Sequence, residues 1–201
     1  YMKYKNQLVL TGEIDDVGAP VRENSGQSFR HGLEIESTLN MSNKITINAN
    51  MSISENKNIN YLTSINGEIV NLGDTQISFS PKLVSSIGLR FNPINKLYLS
   101  FITKHIGDQF MSNTDSDLSK LDSYTISYFN IVFKLKNTKL FNEVTISAII
   151  NNLLNTKYVS NGYHYTYDDT WSNPDQVVTY EGVGYYPQAT RNYLLGFTFK
   201  F

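Results

Sequence analysis

Residues 45–54 read ITINANMSIS, and they separate completely by parity: Ile45, Ile47, Ala49, Met51 and Ile53 are apolar, whereas Thr46, Asn48, Asn50, Ser52 and Ser54 are polar. A repeat of two places successive side chains on opposite faces of an extended strand, a spacing no helix can use. The same alternation returns at 29–36, where Phe29, Leu33 and Ile35 oppose Arg30, Glu34 and Glu36, and at 144–150, where Val144, Ile146, Ala148 and Ile150 oppose Thr145 and Ser147. It closes the chain at 191–201, with Arg191, Tyr193, Leu195, Phe197, Phe199 and Phe201 against Asn192, Leu194, Gly196, Thr198 and Lys200. The pattern dictates an all-β chain.

Eight strands are predicted, near 1–11, 27–39, 44–56, 81–91, 96–107, 121–135, 143–154 and 190–201. Around Tyr128 and Phe129 apolar residues are adjacent and the phase shifts, which predicts a β-bulge; residues 97–106 mix both faces. Short connections at 40–43, 92–95 and 136–142 take turns with long polar ones at 12–26, 57–80, 108–120 and 155–189. Antiparallel neighbours joined this way put every short turn at one rim and every long loop at the other, as in a membrane β-barrel. Residues 1–201 form one barrel domain with no internal boundary.

Periodicity does not say which face points outward. A soluble sandwich turns its apolar faces inward, whereas an outer-membrane barrel turns them to lipid around a wet lumen. Strands of about 10–12 residues suit a tilted crossing of the hydrocarbon better than the roughly 5–6 usual in soluble sheets. The polar positions within strands are small and uncharged, and Tyr and Phe gather near strand ends, where an amphipathic ring has one wet side. Composition agrees. A net charge of -1 with no run of Lys and Arg excludes a nucleic-acid surface, and the absence of cysteine excludes disulfides and thiolate metal sites. No stretch approaches the about 20 consecutive apolar residues of a spanning helix, so any membrane crossing is made by strands.

The C-terminal elements AIINNLLNTKY (148–158) and GYYPQATRNYLLGFTFKF (184–201) resemble the final two strands and last loop of TonB-dependent outer-membrane receptors. NSGQSFRHGLEIE (24–36) is similar to another recurrent piece of those barrels. The resemblance implies that the chain supplies the last eight of about 22 strands, around a lumen filled by an N-terminal plug domain that this sequence lacks. It implies energised uptake through the plug and TonB, most often of a ferric siderophore or haem. The implied partners are outer-membrane lipid, the plug, the TonB complex and the barrel assembly machinery, which reads a C-terminal signal here carried by Tyr193, Phe197, Phe199 and Phe201. The alternatives are the glycan-importing branch of the same family, a small complete eight-stranded barrel with a structural or adhesive role, and a soluble sandwich that binds ligands.

No catalytic motif is present, and the chain is read as a non-enzyme without cofactors. His31, His105 and His164 are far apart in sequence and lack metal-ligand spacing; the hydrolytic outer-membrane barrels place Ser, His and acidic residues at a rim, but no such set assembles here. The candidate ligand surface is the last long loop, where Tyr163, His164, Tyr165, Tyr167 and Trp171 stand with Tyr180, Tyr185 and Tyr186. Aromatic faces stack on catecholates, porphyrins and sugars. Asp168 and Asp169 alone fall short of the about 6–8 oxygen ligands of Ca²⁺. Arg30, Glu34, Glu36, Asn48, Asn50 and Ser52 are expected to line the lumen or face the plug.

Overall fold

The computed structural model describes residues 1–136, 140–173 and 176–201. Alternation translates into strands throughout: β1 (Met2–Ile14), β2 (Pro20–Ser42), β3 (Ile45–Ile59), β4 (Leu62–Ile65), β5 (Glu68–Asn71), β6 (Thr75–Gln76), β7 (Leu83–Ile94) and β8 (Leu97–Ile106). There follow β9 (Gln109–Phe110), a single 3-10 turn at Asp117–Ser119, β10 (Lys120–Leu121), β11 (Tyr124–Lys136), β12 (Glu143–Asn151), β13 (Val159–Asp169), β14 (Val178–Pro187) and β15 (Asn192–Lys200). The main sheet runs β1-β2-β3-β7-β8-β11-β12-β15, with β6 added to β3. Every pairing is antiparallel, and these eight path strands are the eight that alternation predicts. Among the described residues β1 and β15 lie at opposite edges, so the sheet is open.

Register carries the apolar parity from strand to strand. One row links Leu39, Ile47, Leu89, Phe101, Phe129, Ile150 and Tyr193, and the next links Ile45, Phe91, Leu99, Ile131, Ala148 and Leu195. The opposite face holds Glu36, Asn50, Ser86 and Lys104 in one row and Thr46, Arg90, Ser100 and Asn130 in another. Residues 97–106 resolve by the same rule: Leu97, Leu99, Phe101, Thr103 and His105 share the apolar face. The bulge expected at Tyr128 and Phe129 is absent, because β11 pairs with β8 without a shift from Tyr124 to Phe133. Its apolar neighbours arise because Tyr128 occupies the polar face, where the Lys104 ammonium stands 6.0 Å from its ring. Tyr98 does the same beneath Lys134, at 5.3 Å. The aromatic residues near strand ends therefore split between faces, and at the turn rim the Phe141 ring centroid lies 4.9 Å from that of Phe199 and 5.1 Å from that of Phe201.

Burial divides by region of the chain rather than by face of the sheet. Leu33, Ile35, Leu39, Ile87, Leu195 and Phe197 on the apolar face are all exposed, while Asn58, Asn113, Asn152, Ser28, Ser112 and Ser119 are fully buried. The polar side chains behind that apolar band, Glu34, Glu36, Thr38 and Asn40, are exposed as well, and the buried amides and hydroxyls lie toward the loop rim.

The two rims differ. At one, tight turns join β2 to β3 and β7 to β8; the predicted turn at 136–142 lies partly outside the described residues. At the other, β1, β2 and β3 outrun their predicted ends while β7, β8, β11, β12 and β15 stop short of theirs, and the stretch 12–26 is mostly an extension of β1 and β2, with its bend at Asp15–Ala19 fixed by the Asp15 carboxylate accepting from Val17 and Ala19 amides at 3.0 and 2.7 Å. The segments 57–80, 108–120 and 155–189, predicted as loops, contain the β4-β5 hairpin, the β9-β10 pair and the β13-β14 hairpin.

The NNLLNTKY element turns the chain after β12. Asn152 is fully buried in a left-handed conformation (φ 50), donates through Nδ2 to the carbonyls of Thr156 (2.8 Å) and Ala189 (3.2 Å), and accepts from the Thr156 amide at 2.9 Å. Asn155, also left-handed (φ 57), accepts from the Arg191 amide at 3.0 Å. Asparagine tolerates that backbone and bonds locally, so the two residues supply both turn geometry and partners for carbonyls that leave the ladder.

Candidate functional site

The long-loop rim folds back over the polar face and is held there by side-chain amides and hydroxyls. Arg30 donates to Asn56 (3.2 Å) and Ser80 (3.3 Å), and Asn58 donates to Thr75 (3.5 Å) and Asn113 (3.3 Å). Asn113 donates to the Leu10 carbonyl at 2.6 Å and accepts from the Ser78 amide at 2.9 Å, while Ser78 Oγ also donates to Leu10 at 2.7 Å. One asparagine thus joins β1, β3 and two loops. Gly12 permits the close approach, since its φ is 98 and a Cβ there would lie 2.6 Å from the Met111 carbonyl oxygen. Tyr61 donates to the Glu23 carboxylate, and burial together with that carboxylate pushes its hydroxyl far above the ordinary tyrosine range.

The β13-β14 hairpin stands on this roof. Tyr163, Tyr165 and Tyr167 share one face of β13 and lie opposite Gly184, Gly182 and Tyr180 of β14. A Cβ on Gly182 or Gly184 would fall 2.3 or 2.4 Å from the ring of Tyr165 or Tyr163, so the rings lie flat across the neighbouring strand. Successive centroids from Tyr163 through Tyr165 and Tyr167 to Trp171 are 6.3, 6.4 and 6.4 Å apart, at interplanar angles of 21°, 23° and 6°. Tyr165, Tyr167, Tyr180 and Trp171 are exposed. The result is a paved row of aromatic faces with hydroxyl tips.

His164 is not part of that row. It lies on the opposite face of β13, only 2% exposed, with Nε2 3.3 Å from the Glu181 carboxylate, which also accepts from Ser116 Oγ. It ties β13 to β14 within the hairpin, and Glu181 in turn holds the hairpin to the segment beneath through Ser116. Asp168 accepts from Thr179, and Asp169 caps the Trp171 and Ser172 amides at 3.1 and 3.0 Å. Those bonds hold the Asp169 carboxyl below its ordinary range.

Arg30, Glu34, Glu36, Asn48, Asn50 and Ser52 all share the polar face by register. Asn48 and Asn50 accept from Thr38 (3.0 Å) and Ser86 (3.1 Å), whereas Glu34 and Glu36 are exposed and form no ion pair among the described residues. Arg30, Glu34 and Ser52 line a recess of 610 Å³. Tyr193, Phe197, Phe199 and Phe201 lie exposed at or near the edge strand. His31 faces Glu55 at 3.6 Å, and His105 bonds Thr125 at 2.9 Å; no group of three or more His, Asp or Glu that could hold a metal occurs among the described residues.

The residues that sequence reasoning did not single out are structural partners: Asn58, Asn113, Ser116 and Glu181. The ring seats were legible in principle, because Gly182 and Gly184 repeat at the same spacing as Tyr163 and Tyr165. Nothing local marks Asn113, whose contacts are 35 to 103 residues away.

No protein-family model and no curated protein matches this chain. Solved structures do. The siderophore receptor PiuA from Acinetobacter baumannii superposes with TM-score 0.64 at 17% identity, over 99% of this chain and 25% of its own. The ferric-catecholate import receptor Fiu from E. coli gives 0.62 at 13% identity over 97% and 23%, and the copper transporter OprC gives 0.61 at 13% over 97% and 27%. At these identities the likeness is one of fold. The chain spans about a quarter of each of these proteins and shares its strand architecture with that portion of them.

Proposed function

We propose that this chain is the C-terminal barrel portion, the last eight strands, of a TonB-dependent outer-membrane receptor that imports a ferric chelate. The observation that carries the reading is the apolar row that register assembles on one face across seven strands, from Leu39 to Tyr193, on a face where Leu33, Ile35, Leu39, Ile87, Leu195 and Phe197 stand exposed. The fold shared with a siderophore receptor and a ferric-catecholate import receptor supports the choice of cargo. In this reading the apolar rows face outer-membrane lipid, and the remaining strands continue the sheet from its edges at β1 and β15.

The site residues divide by task. Tyr163, Tyr165, Tyr167 and Trp171 offer ring faces to a chelate arriving from outside, and His164 fixes the hairpin that displays them. Arg30, Glu34, Glu36, Asn48, Asn50 and Ser52 face the plug domain, to which they offer hydrogen bonds that exchange readily when TonB pulls. Tyr193, Phe197, Phe199 and Phe201 present the strand to the barrel assembly machinery. Deleting the full-length gene should abolish uptake of radiolabelled ferric chelate while leaving oligosaccharide uptake intact; the reverse result would overturn the cargo assignment.

One observation favours a second cargo. The aromatic row is flat and linear, a shape that also stacks against successive sugar rings. The same pair of uptake assays decides between them.

A further inference from the structure

Beneath the hairpin, on the side away from the aromatic row, lies a recess of 210 Å³ between the β4-β5 hairpin, the segment 114–116 and the inner face of β13 and β14. Its walls are held in place. The Asn66 amide donates to Thr179 Oγ1 at 2.6 Å and the Thr179 amide donates back to Asn66 Oδ1 at 2.9 Å, which clasps the β4-β5 tip to β14. Ser116 fastens the third wall through Glu181.

The lining is selective in its chemistry. Thr63, Thr166 and Glu181 provide polar groups, Ile65, which shares the Thr63 face of β4, and Leu72 an apolar flank, and no Lys, Arg or His lines it. The hydroxyls of Thr63 and Thr166 make no hydrogen bond among the described residues, and Glu181 Oε1 is unused while Oε2 accepts twice. An anion would meet the free oxygen of the Glu181 carboxylate, whose His164 contact lies on its other oxygen, and an apolar guest would strand the hydroxyls. A hard cation would find one carboxylate where several oxygen ligands of strong field are needed. A sugar ring fits each requirement: its hydroxyls both donate and accept, as Thr hydroxyls do, the free carboxylate oxygen accepts from one of them, and its C–H face packs on Leu72 and Ile65. The volume seats one ring.

We infer that this recess binds a single neutral pyranose unit, as a site separate from the aromatic row and independent of which cargo the receptor imports. The test uses the full-length receptor in detergent, titrated with methyl glucoside, methyl galactoside and methyl mannoside and read by saturation-transfer NMR. At least one glycoside should bind with a dissociation constant on the order of millimolar, the range expected of a few hydrogen bonds on a small ligand. Thr166→Val and Thr63→Val remove hydroxyls that support nothing else among the described residues, and each should weaken binding roughly 2–10-fold. Uptake of ferric chelate and of oligosaccharide, measured in the same variants, should stay at the parent level. Absence of binding by all three glycosides overturns the inference, as does full retention of binding in the double variant. Saturation by methylammonium with no response to glycosides would identify an ammonium site and overturn it equally.

Discussion

The turn-rim half of the sheet and the loop-rim half obey opposite rules of construction. In the first, apolar side chains from β2 through β15 point outward in unbroken rows, and little is buried within the chain itself. In the second, the chain buries its own amides and hydroxyls, with Asn58, Asn113 and Asn152 among its most enclosed side chains. The first half draws its stability from what surrounds it, since apolar area yields free energy only when something other than water covers it, at roughly 25 cal/mol per Å². The second must satisfy its polar groups internally, and each one left unpaired costs about 1–3 kcal/mol. A single alternating pattern therefore builds an uncovered apolar face at one end and leads into a hydrogen-bonded roof at the other.

The sharpest way to break this comparison is to place the same charge on adjacent residues of β11. Ile131 lies in the apolar row, and Asn130, its neighbour, lies on the polar face with Nδ2 3.3 Å from Ser100 Oγ. Ile131→Arg should cost about 2–4 kcal/mol in urea unfolding of the full-length receptor from lipid vesicles, because the guanidinium is held at hydrocarbon depth. Asn130→Arg should cost less than about 1 kcal/mol, chiefly the lost hydrogen bond. Equal costs would refute the assignment of faces.

In the loop-rim half the largest effect belongs to Asn152. Asn152→Ala deletes three hydrogen bonds and puts a residue with no local partner at a φ of 50, for a loss of about 2–3 kcal/mol. Asn152→Gly separates the two causes, since it accepts the backbone and still loses the bonds; it should recover under half of the deficit. Urea unfolding of the full-length receptor from lipid vesicles reads both.

A gentler change tests the paving of the aromatic row. Gly182→Ala would place a Cβ 2.3 Å from the Tyr165 ring, which must lift off the strand, a movement open to an exposed side chain. Stability should change by less than about 1 kcal/mol, while chelate binding to intact cells falls several-fold because the row loses its flat continuity. Unaltered binding would remove Tyr165 from the capture surface.

These outcomes also explain what could be read in advance. All eight strands of the sheet path were legible, because burial on one face imposes a parity that one residue of slippage would destroy. The exceptions were residues such as Tyr128 and Tyr98, where a lysine on the polar face supplies the partner that makes an inward aromatic acceptable. The roof was not legible. Its strands are short and its contacts join positions far apart in sequence, as Asn113 does with Leu10, so no local pattern announces them. The aromatic stretch was visible as composition, but the division of Tyr163, Tyr165 and Tyr167 from His164 follows only once 159–169 is known to be a strand rather than a loop.

The smallest predicted effect concerns pH and the roof. Asp115 sits in a left-handed conformation (φ 56) and accepts from the Gln76 amide at 2.8 Å, and burial nonetheless raises its carboxyl above the ordinary range. A carboxyl whose folded pKa lies above its unfolded value costs stability once pH exceeds the folded value, and costs nothing below the unfolded one. Asp115→Asn keeps an acceptor for Gln76, favours the same backbone conformation and removes the charge. It should therefore slow exchange of the Gln76 amide at neutral pH, and that advantage should shrink as pH falls into the acid range, leaving only the conformational share. An advantage that stays constant with pH would show that the backbone preference alone distinguishes the two side chains. An advantage that grows toward acid would mean that the charged carboxylate stabilises the roof, with the Gln76 amide outweighing burial.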